Sequence, residues 1–342
     1  MGGASLMRHA AVTGWGMAVP DRVLTNHELS QMVDTSDEWI VSRTGIRERR
    51  IVEPNETATS MSVQAGRAAC EKAGIDSADL DLIIVGTYTA DHQMPSVASL
   101  VQDALGARRA GAFDLNAACS GFVYALAVGS QFIESGVYSK VLVIGTDIAS
   151  RFLDYTDRGT CILFGDGSGA VVLQASDADE GLLSLVLGSD GSAGHHLTLG
   201  DTTGLAGLNG TRTTDRPFMK MNGPEVFRFA VKVMGEAAAE AVIKAGLTFG
   251  DIDLLVPHQA NLRIIDSAAK RLELPRERVW VNVDRYGNTS SASVPISLVE
   301  AVDAGAIQDG MNVVVVGFGG GLTWAAGVLR WGSSGVAQEA RR

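Results

Sequence analysis

At 342 residues the chain exceeds one ordinary domain, and with 46% hydrophobic and 20% charged residues it has the composition of a globular protein with ample core material. A formal net charge of -11 argues against nonspecific nucleic-acid binding, which needs Lys and Arg to neutralise phosphates. No apolar run reaches the roughly 18 residues of a membrane span. A signal-peptide core is missing, and Leu6 stands where myristoylation wants Ser or Thr.

Three cysteines, Cys70, Cys119 and Cys161, match no zinc spacing and fit a reducing, cytoplasmic compartment. Residues 1–6 and the end after Trp331 read as loose tails. An Ala-rich amphipathic stretch then runs to Gly74, placed as the glycine just past a helix. The apolar run 82–85 reads as a buried strand. Cys119 follows in Asn116-Ala-Ala-Cys-Ser-Gly-Phe122, and residues 120–135 read as a buried helix ending at Gly136. The Val-rich run 141–144 is a second buried strand. Residues 181–216 read as a connecting excursion, rich in Gly and Thr from 188 onward, where substrate-covering loops are often found.

Beyond it the same order recurs. An Ala-rich stretch ends at Gly246, the run 254–256 is apolar, and His258 emerges at its end. Asn288 sits in Tyr286-Gly-Asn-Thr-Ser-Ser291, a turn before a further helix. The run 313–316 leads into Gly317-Phe-Gly-Gly-Gly321. Three segments (73–85, 119–126 and 141–145) match later ones (245–257, 291–298 and 313–317) at a constant offset of 172 residues. The chain therefore reads as two copies of one αβ half, residues 8–180 and 217–332. By this register Ser291 is the counterpart of Cys119 and Gly86 that of His258.

A thiol at a helix N-terminus feels the positive end of the dipole, and the unpaired N–H groups there can hold an oxyanion. The ordinary alternative is a small buried apolar cysteine, and Cys70 and Cys161 are read that way. His258 lies at a strand's C-terminal end, where open α/β sheets bind ligands, although a histidine can also merely cap a strand. Asn288 can likewise simply shape its turn. The duplication brings Cys119, His258 and Asn288 towards one pseudo-twofold axis. The 317–321 run lacks the three-glycine spacing and downstream acid of a dinucleotide loop, so a close backbone approach to a thioester oxygen is its better use. His195 and His196 have no partner at ligand spacing, and no metal is assigned.

With these residues in place, the chain resembles the β-ketoacyl-acyl carrier protein synthase III family of the thiolase superfamily. The resemblance runs from about Val12 to Arg330. It is carried by Asp34-Thr-Ser-Asp-Glu-Trp-Ile40, Arg43-Thr-Gly-Ile46, Ala118-Cys119, Thr156-Asp-Arg-Gly159, Phe164-Gly-Asp-Gly167, Pro257-His-Gln-Ala-Asn261, Gly287-Asn-Thr-Ser290 and Phe318-Gly-Gly-Gly321. It implies an α/β thiolase-like fold in which two duplicated halves form a layered αβαβα core.

The resemblance also implies decarboxylative Claisen condensation of an acyl-coenzyme A primer with malonyl-acyl carrier protein, starting fatty acid synthesis. Cys119 carries the acyl group, His258 and Asn288 hold the enolate oxygen, and the N–H groups of Cys119 and Gly320 form the oxyanion hole. Trp39, Arg43, Arg158 and Asn261 bind coenzyme A, and Phe318 lines the acyl pocket. Met94 enters that pocket from the partner of a homodimer, where some members carry Phe. Ser120 stands where many relatives have Ala. No cofactor is expected beyond these substrates.

A related starter-unit enzyme of a polyketide or other secondary pathway is the alternative, since its triad would look the same. A biosynthetic thiolase would want a second Cys near 313–330, and an elongating synthase a second His in place of Asn288. A catalytically silent carrier-binding module would not need the triad. Arg263, Lys270 and Arg271 on a helix after His258, extended by Arg228 and Lys232, are read as a docking patch for an acidic carrier protein.

Overall fold

The computed structural model describes residues 8–200 and 218–332, so the expected N-terminal tail, residues 201–216 of the excursion and the expected C-terminal tail from 333 on lie outside the described residues. In chain order the strands of the first half are β1 (His9–Ala18), β2 (Val23–Thr25), β3 (Glu48–Arg50), β4 (Leu82–Gly86), β5 (Gly111–Leu115), β6 (Lys140–Ile148) and β7 (Asp166–Ser176). Those of the second are β8 (Gly181–Ser189), β9 (Leu197–Leu199), β10 (Met219–Met221), β11 (Leu254–Pro257), β12 (Asn312–Gly319) and β13 (Thr323–Arg330). The helices are α1 (Asn26–Ser30), α2 (Asp37–Thr44), α3 (Ala58–Ala73), α4 (Val97–Ala104), α5 (Gly121–Glu134), α6 (Gly223–Lys244), α7 (Leu262–Arg271), α8 (Val283–Tyr286) and α9 (Ser293–Asp303).

Two sheets carry the core, ordered β1-β7-β6-β4-β5 and β8-β13-β12-β11. In the first, Leu82 of β4 pairs in parallel with Val141 of β6. In the second, Leu254 of β11 pairs in parallel with Val313 of β12, the same register moved by 172 residues. Side chains alternate across both sheets, as period-2 geometry requires. Ile84, Val143, Val256 and Val315 face inward onto Phe122 and Leu126 of α5 and Val294 and Leu298 of α9. Ile83, Leu142 and Ile144 face out against α3 and α4, and Val314, Val316 and Leu255 against α6 and α7. The result is the expected αβαβα stack, and burial on both faces explains why these strands read as unbroken apolar runs.

The excursion needs correction. Residues 181–189 are not connector but β8, antiparallel to β13 at the edge of the second sheet. They lie 172 residues after β1, and β8 is the first strand of the second copy. The reading missed it because an edge strand exposed on one side carries no continuous apolar run. The counterpart of β5 departs in the other direction, since residues 283–286 fold as the short helix α8. Gly74 and Gly246 both take the left-handed φ expected past a helix, 67° and 73°.

Candidate active site

Cys119 lies in a 3₁₀ turn, Ala118–Ser120, that feeds α5. Ala118 before it has φ 47°, a left-handed conformation uncommon outside glycine. Asn116 Oδ1 accepts the Ala118 N–H at 3.2 Å and secures the bend. The Cys119 N–H falls in the first turn, where no intrahelical acceptor exists. Gly319 packs directly upon it: a Cβ on Gly319 would stand 2.4 Å from Cys119 N. The thiol is 6% exposed, and Ser290 Oγ donates to Sγ at 3.1 Å. Burial pushes the thiol up to about 12; the Ser290 hydrogen bond opposes this and the Asp147 charge adds to it. Desolvation at this site thus favours the neutral thiol over the thiolate.

His258 directly follows β11, where its N–H donates to Val316 O at 2.7 Å. Its ring is 1% exposed, with Nδ1 2.5 Å from Ser293 Oγ and Nε2 without a partner among the described residues. Burial pulls the imidazole down to about 3, so it is neutral at physiological pH. Asn288 is clamped by its backbone, donating to Leu163 O at 2.8 Å and accepting from Gly165 N at 3.0 Å. Its Oδ1 accepts the Ser290 N–H at 2.9 Å, which leaves the Nδ2 hydrogens as the group's free donors among the described residues.

Two cavities meet at Cys119. One of about 280 Å³ is lined by Trp39, Arg43, Asn261, His258, Asn288 and Cys119. The other, about 400 Å³, continues past Cys119 between Tyr88, Phe164, Leu199, Met219 and Gly320. The entrance is built by α2 and α7. Ser36 caps α2 by accepting from Trp39 N, a bond worth about 1 kcal/mol. The Arg43 and Arg158 guanidinium carbons lie 5.8 and 5.2 Å from the centre of the Trp39 ring. Asn261 caps α7 through Oδ1 and donates from Nδ2 to Arg43 O at 3.0 Å, so its side chain joins the two helices.

Phe318 lines the cavity that also holds Cys119, His258 and Asn288, and sets its ring edge-on to His258 at 5.4 Å. Met94 is 88% exposed and lines neither cavity of its own chain. Arg263, Lys270 and Arg271 are exposed on α7, with Arg263 stacked 5.2 Å from the Phe227 ring. Arg228 is paired with Glu225 at 2.5 Å and adds less free charge than expected. The sequence reading overlooked Tyr88, Asp147, Ser290 and Ser293. Of these, Ser290 alone lay in a quoted family motif, Gly287-Asn-Thr-Ser290, and the repeat register makes it the counterpart of Ala118.

A cysteine, a neutral histidine and an asparagine on a five-layer αβαβα core define a condensing enzyme with the thiolase-like fold. The family model described as 3-oxoacyl-[acyl-carrier-protein (ACP)] synthase III matches residues 113–191, and its C-terminal counterpart matches residues 242–331. The β-ketoacyl-[acyl-carrier-protein] synthase III of Symbiobacterium thermophilum is 54% identical over 95% of this chain and 99% of that one. The crystal structure of the synthase III from Thermus thermophilus superposes with a TM-score of 0.89 at 48% identity, over 94% of this chain and 99% of that one. The priming β-ketosynthase of the R1128 polyketide pathway gives 0.89 at 41% identity, covering 95% and 97%. The chain belongs to the β-ketoacyl-acyl carrier protein synthase III family, acyltransferases that condense acyl-coenzyme A with malonyl-acyl carrier protein.

Proposed function

We propose that the chain performs this initiating condensation through Cys119, His258 and Asn288. The observation that supports it is the convergence of these three groups, one from the first half and two from the second, on one cavity, with the His258 Nε2 unpartnered among the described residues. Cys119 attacks the primer thioester, and its proton leaves with the coenzyme A sulfur. The N–H groups of Cys119 and Gly320 hold the tetrahedral oxyanion. Malonyl-carrier protein then enters. Ser293, donating to Nδ1, leaves His258 with an Nε2–H. That N–H and the Asn288 amide take up the charge on the thioester oxygen as carbon dioxide departs. The enolate carbon attacks the acyl-Cys119 carbonyl, and collapse releases 3-oxoacyl-carrier protein and the thiolate, which takes a proton from solvent.

Trp39, Arg43 and Arg158 hold the nucleotide of coenzyme A by stacking and charge, beside the Asn261 link. The open edge of β5 pairs across a homodimer axis, and Met94 completes the partner's acyl cavity. Met94→Phe should favour acetyl and Met94→Ala longer primers; an unchanged profile in both removes Met94 from the pocket. Arg263, Lys270 and Arg271 receive the acidic carrier protein. Three buried, unpaired cysteines fit the cytoplasm, and among the described residues no helix is long and apolar enough to cross a membrane. The curated relatives at about half identity carry the synthase III name, which favours fatty acid initiation over polyketide priming. The test is to incubate the protein with a panel of acyl-coenzyme A thioesters, weigh the acyl-enzyme, and add malonyl-carrier protein. Failure of every primer to load Cys119 overturns the reading.

A further inference from the structure

The repeat register sets Asn116, Ala118 and Cys119 opposite Asn288, Ser290 and Ser291, and the two segments fold as the same elbow. Ala118 and Ser290 share a left-handed φ, 47° and 53°. In each, the Asn two residues earlier accepts the N–H of the strained residue, at 3.2 and 2.9 Å. Each elbow then enters a 3₁₀ turn and a helix of the central layer, α5 or α9. Glycines at equivalent positions let the facing strands approach: a Cβ on Gly145 would lie 2.3 Å from Ser291 O, and one on Gly317 would lie 3.4 Å from Cys119 O.

The facing strands differ at the next equivalent pair, Asp147 and Gly319. Gly319 leaves the Cys119 N–H open to a substrate oxygen. Asp147 instead accepts the Ser291 N–H through Oδ2 at 3.0 Å. A side-chain carboxylate thus occupies, in the second elbow, the place that a thioester oxyanion would take in the first. Its other oxygen accepts from Thr87 Oγ1 at 3.0 Å, Thr89 Oγ1 at 2.9 Å and Tyr88 N at 3.1 Å. Asp147 is fully buried and, among the described residues, is held by neutral donors without an ion-pair partner. Burial pushes its carboxyl up to about 6, against the hydrogen bonds that hold it down. A charge so placed is costly, and its donors span both halves.

We propose that Asp147 is a positioning residue: by filling the anion hole of the disused second elbow, it holds the Ser290 hydroxyl on the Cys119 sulfur and the Asn288 amide in the enolate site. This rests on the roles given above to Cys119 and Asn288. The test compares Asp147→Asn, Asp147→Ala, Ser290→Ala and the Asp147→Asn/Ser290→Ala double variant of the full chain, each checked for fold by circular dichroism and thermal midpoint. In condensation assays the Asp147 variants should lose about 10- to 100-fold in kcat, Asn less than Ala, with KM for malonyl-carrier protein within about twofold. The double variant should lose less than the product of its single losses, because both changes break one link. Wild-type kcat per folded molecule, or fully multiplicative losses, overturns the proposal. Should the Asp147 variants not fold, Thr87→Val strips one donor from the same carboxylate. A kcat lowered about three- to fivefold at unchanged KM supports the link, and wild-type kcat overturns it. Cys119→Ala and Asn288→Ala run alongside: if they keep activity the site assignment itself fails, whereas if only the Asp147 series matches wild type this inference alone fails.

Discussion

At the end of β4 stands Gly86, and at the equivalent end of β11 stands His258. Their helix-side neighbours are also equivalents, Gly121 at the start of α5 and Ser293 at the start of α9. In the first half no side chain fits, since a Cβ on Gly86 would lie 2.7 Å from the Gly121 carbonyl carbon. The helix backbone therefore rests directly on the strand and brings Cys119 to the axis. In the second half the larger pair holds an imidazole against a hydroxyl, Nδ1 to Oγ at 2.5 Å. One scaffold thus brings a thiol from one copy and an imidazole and an amide from the other to a single cavity, in keeping with the roles proposed for them. The division suits the reaction, because an enolate formed by loss of carbon dioxide needs its charge held and no strong base.

The sharpest way to break this division of labour is to remove the nucleophile. Cys119→Ala should abolish acyl-enzyme and product, and Cys119→Ser nearly so, because a hydroxyl without a base is a poor nucleophile. Normal condensation by Cys119→Ala, followed by mass spectrometry and product release, would place the nucleophile elsewhere. Next in size, His258→Ala and Asn288→Ala should each lose about 10²–10³ in malonyl decarboxylation while keeping much of the acylation. The opposite split would exchange the roles of the two halves.

Gly319→Ala sharpens the comparison at the oxyanion hole. Its Cβ would collide with Cys119 N at 2.4 Å, so single-turnover acylation should fall about 10- to 100-fold in whatever protein folds. An undiminished rate would separate Gly319 from the nucleophile's geometry. The carrier patch predicts a smaller, salt-dependent effect. Arg263→Glu with Lys270→Glu should raise KM for malonyl-carrier protein about 10-fold at low salt and little at high salt, with acylation by small acyl-coenzyme A unaltered. An unchanged KM at low salt returns those residues to an ordinary solvated face.

The smallest expected effect is none at all. Burial disfavours the charged imidazole and sets His258 at about 3, below the usual value near 6.5, so lowering the pH from about 8 to about 5 should leave it neutral. Nitrogen NMR of labelled histidine should show one ring that does not titrate over that range. If every ring titrates near 6.5, the neutral-donor role of His258 fails.

Much of this molecule was legible in its residues. Motif spacing implied the family, the constant 172-residue offset marked the halves, and unbroken apolar runs marked strands buried on both faces. Cys119, His258 and Asn288 each lie in a strand-end or turn motif that also has an ordinary structural reading, and the common repeat register with the family motifs singled them out. Tertiary structure decided the rest. It turned residues 181–189 from connector into β8, because edge pairing leaves no continuous apolar signal. It brought Ser290 onto Cys119 across 171 residues of chain. It also shifted two buried groups, pushing the Cys119 thiol up to about 12 and the His258 imidazole down to about 3. Those values come from desolvation, which belongs to packed neighbours and not to any stretch of sequence.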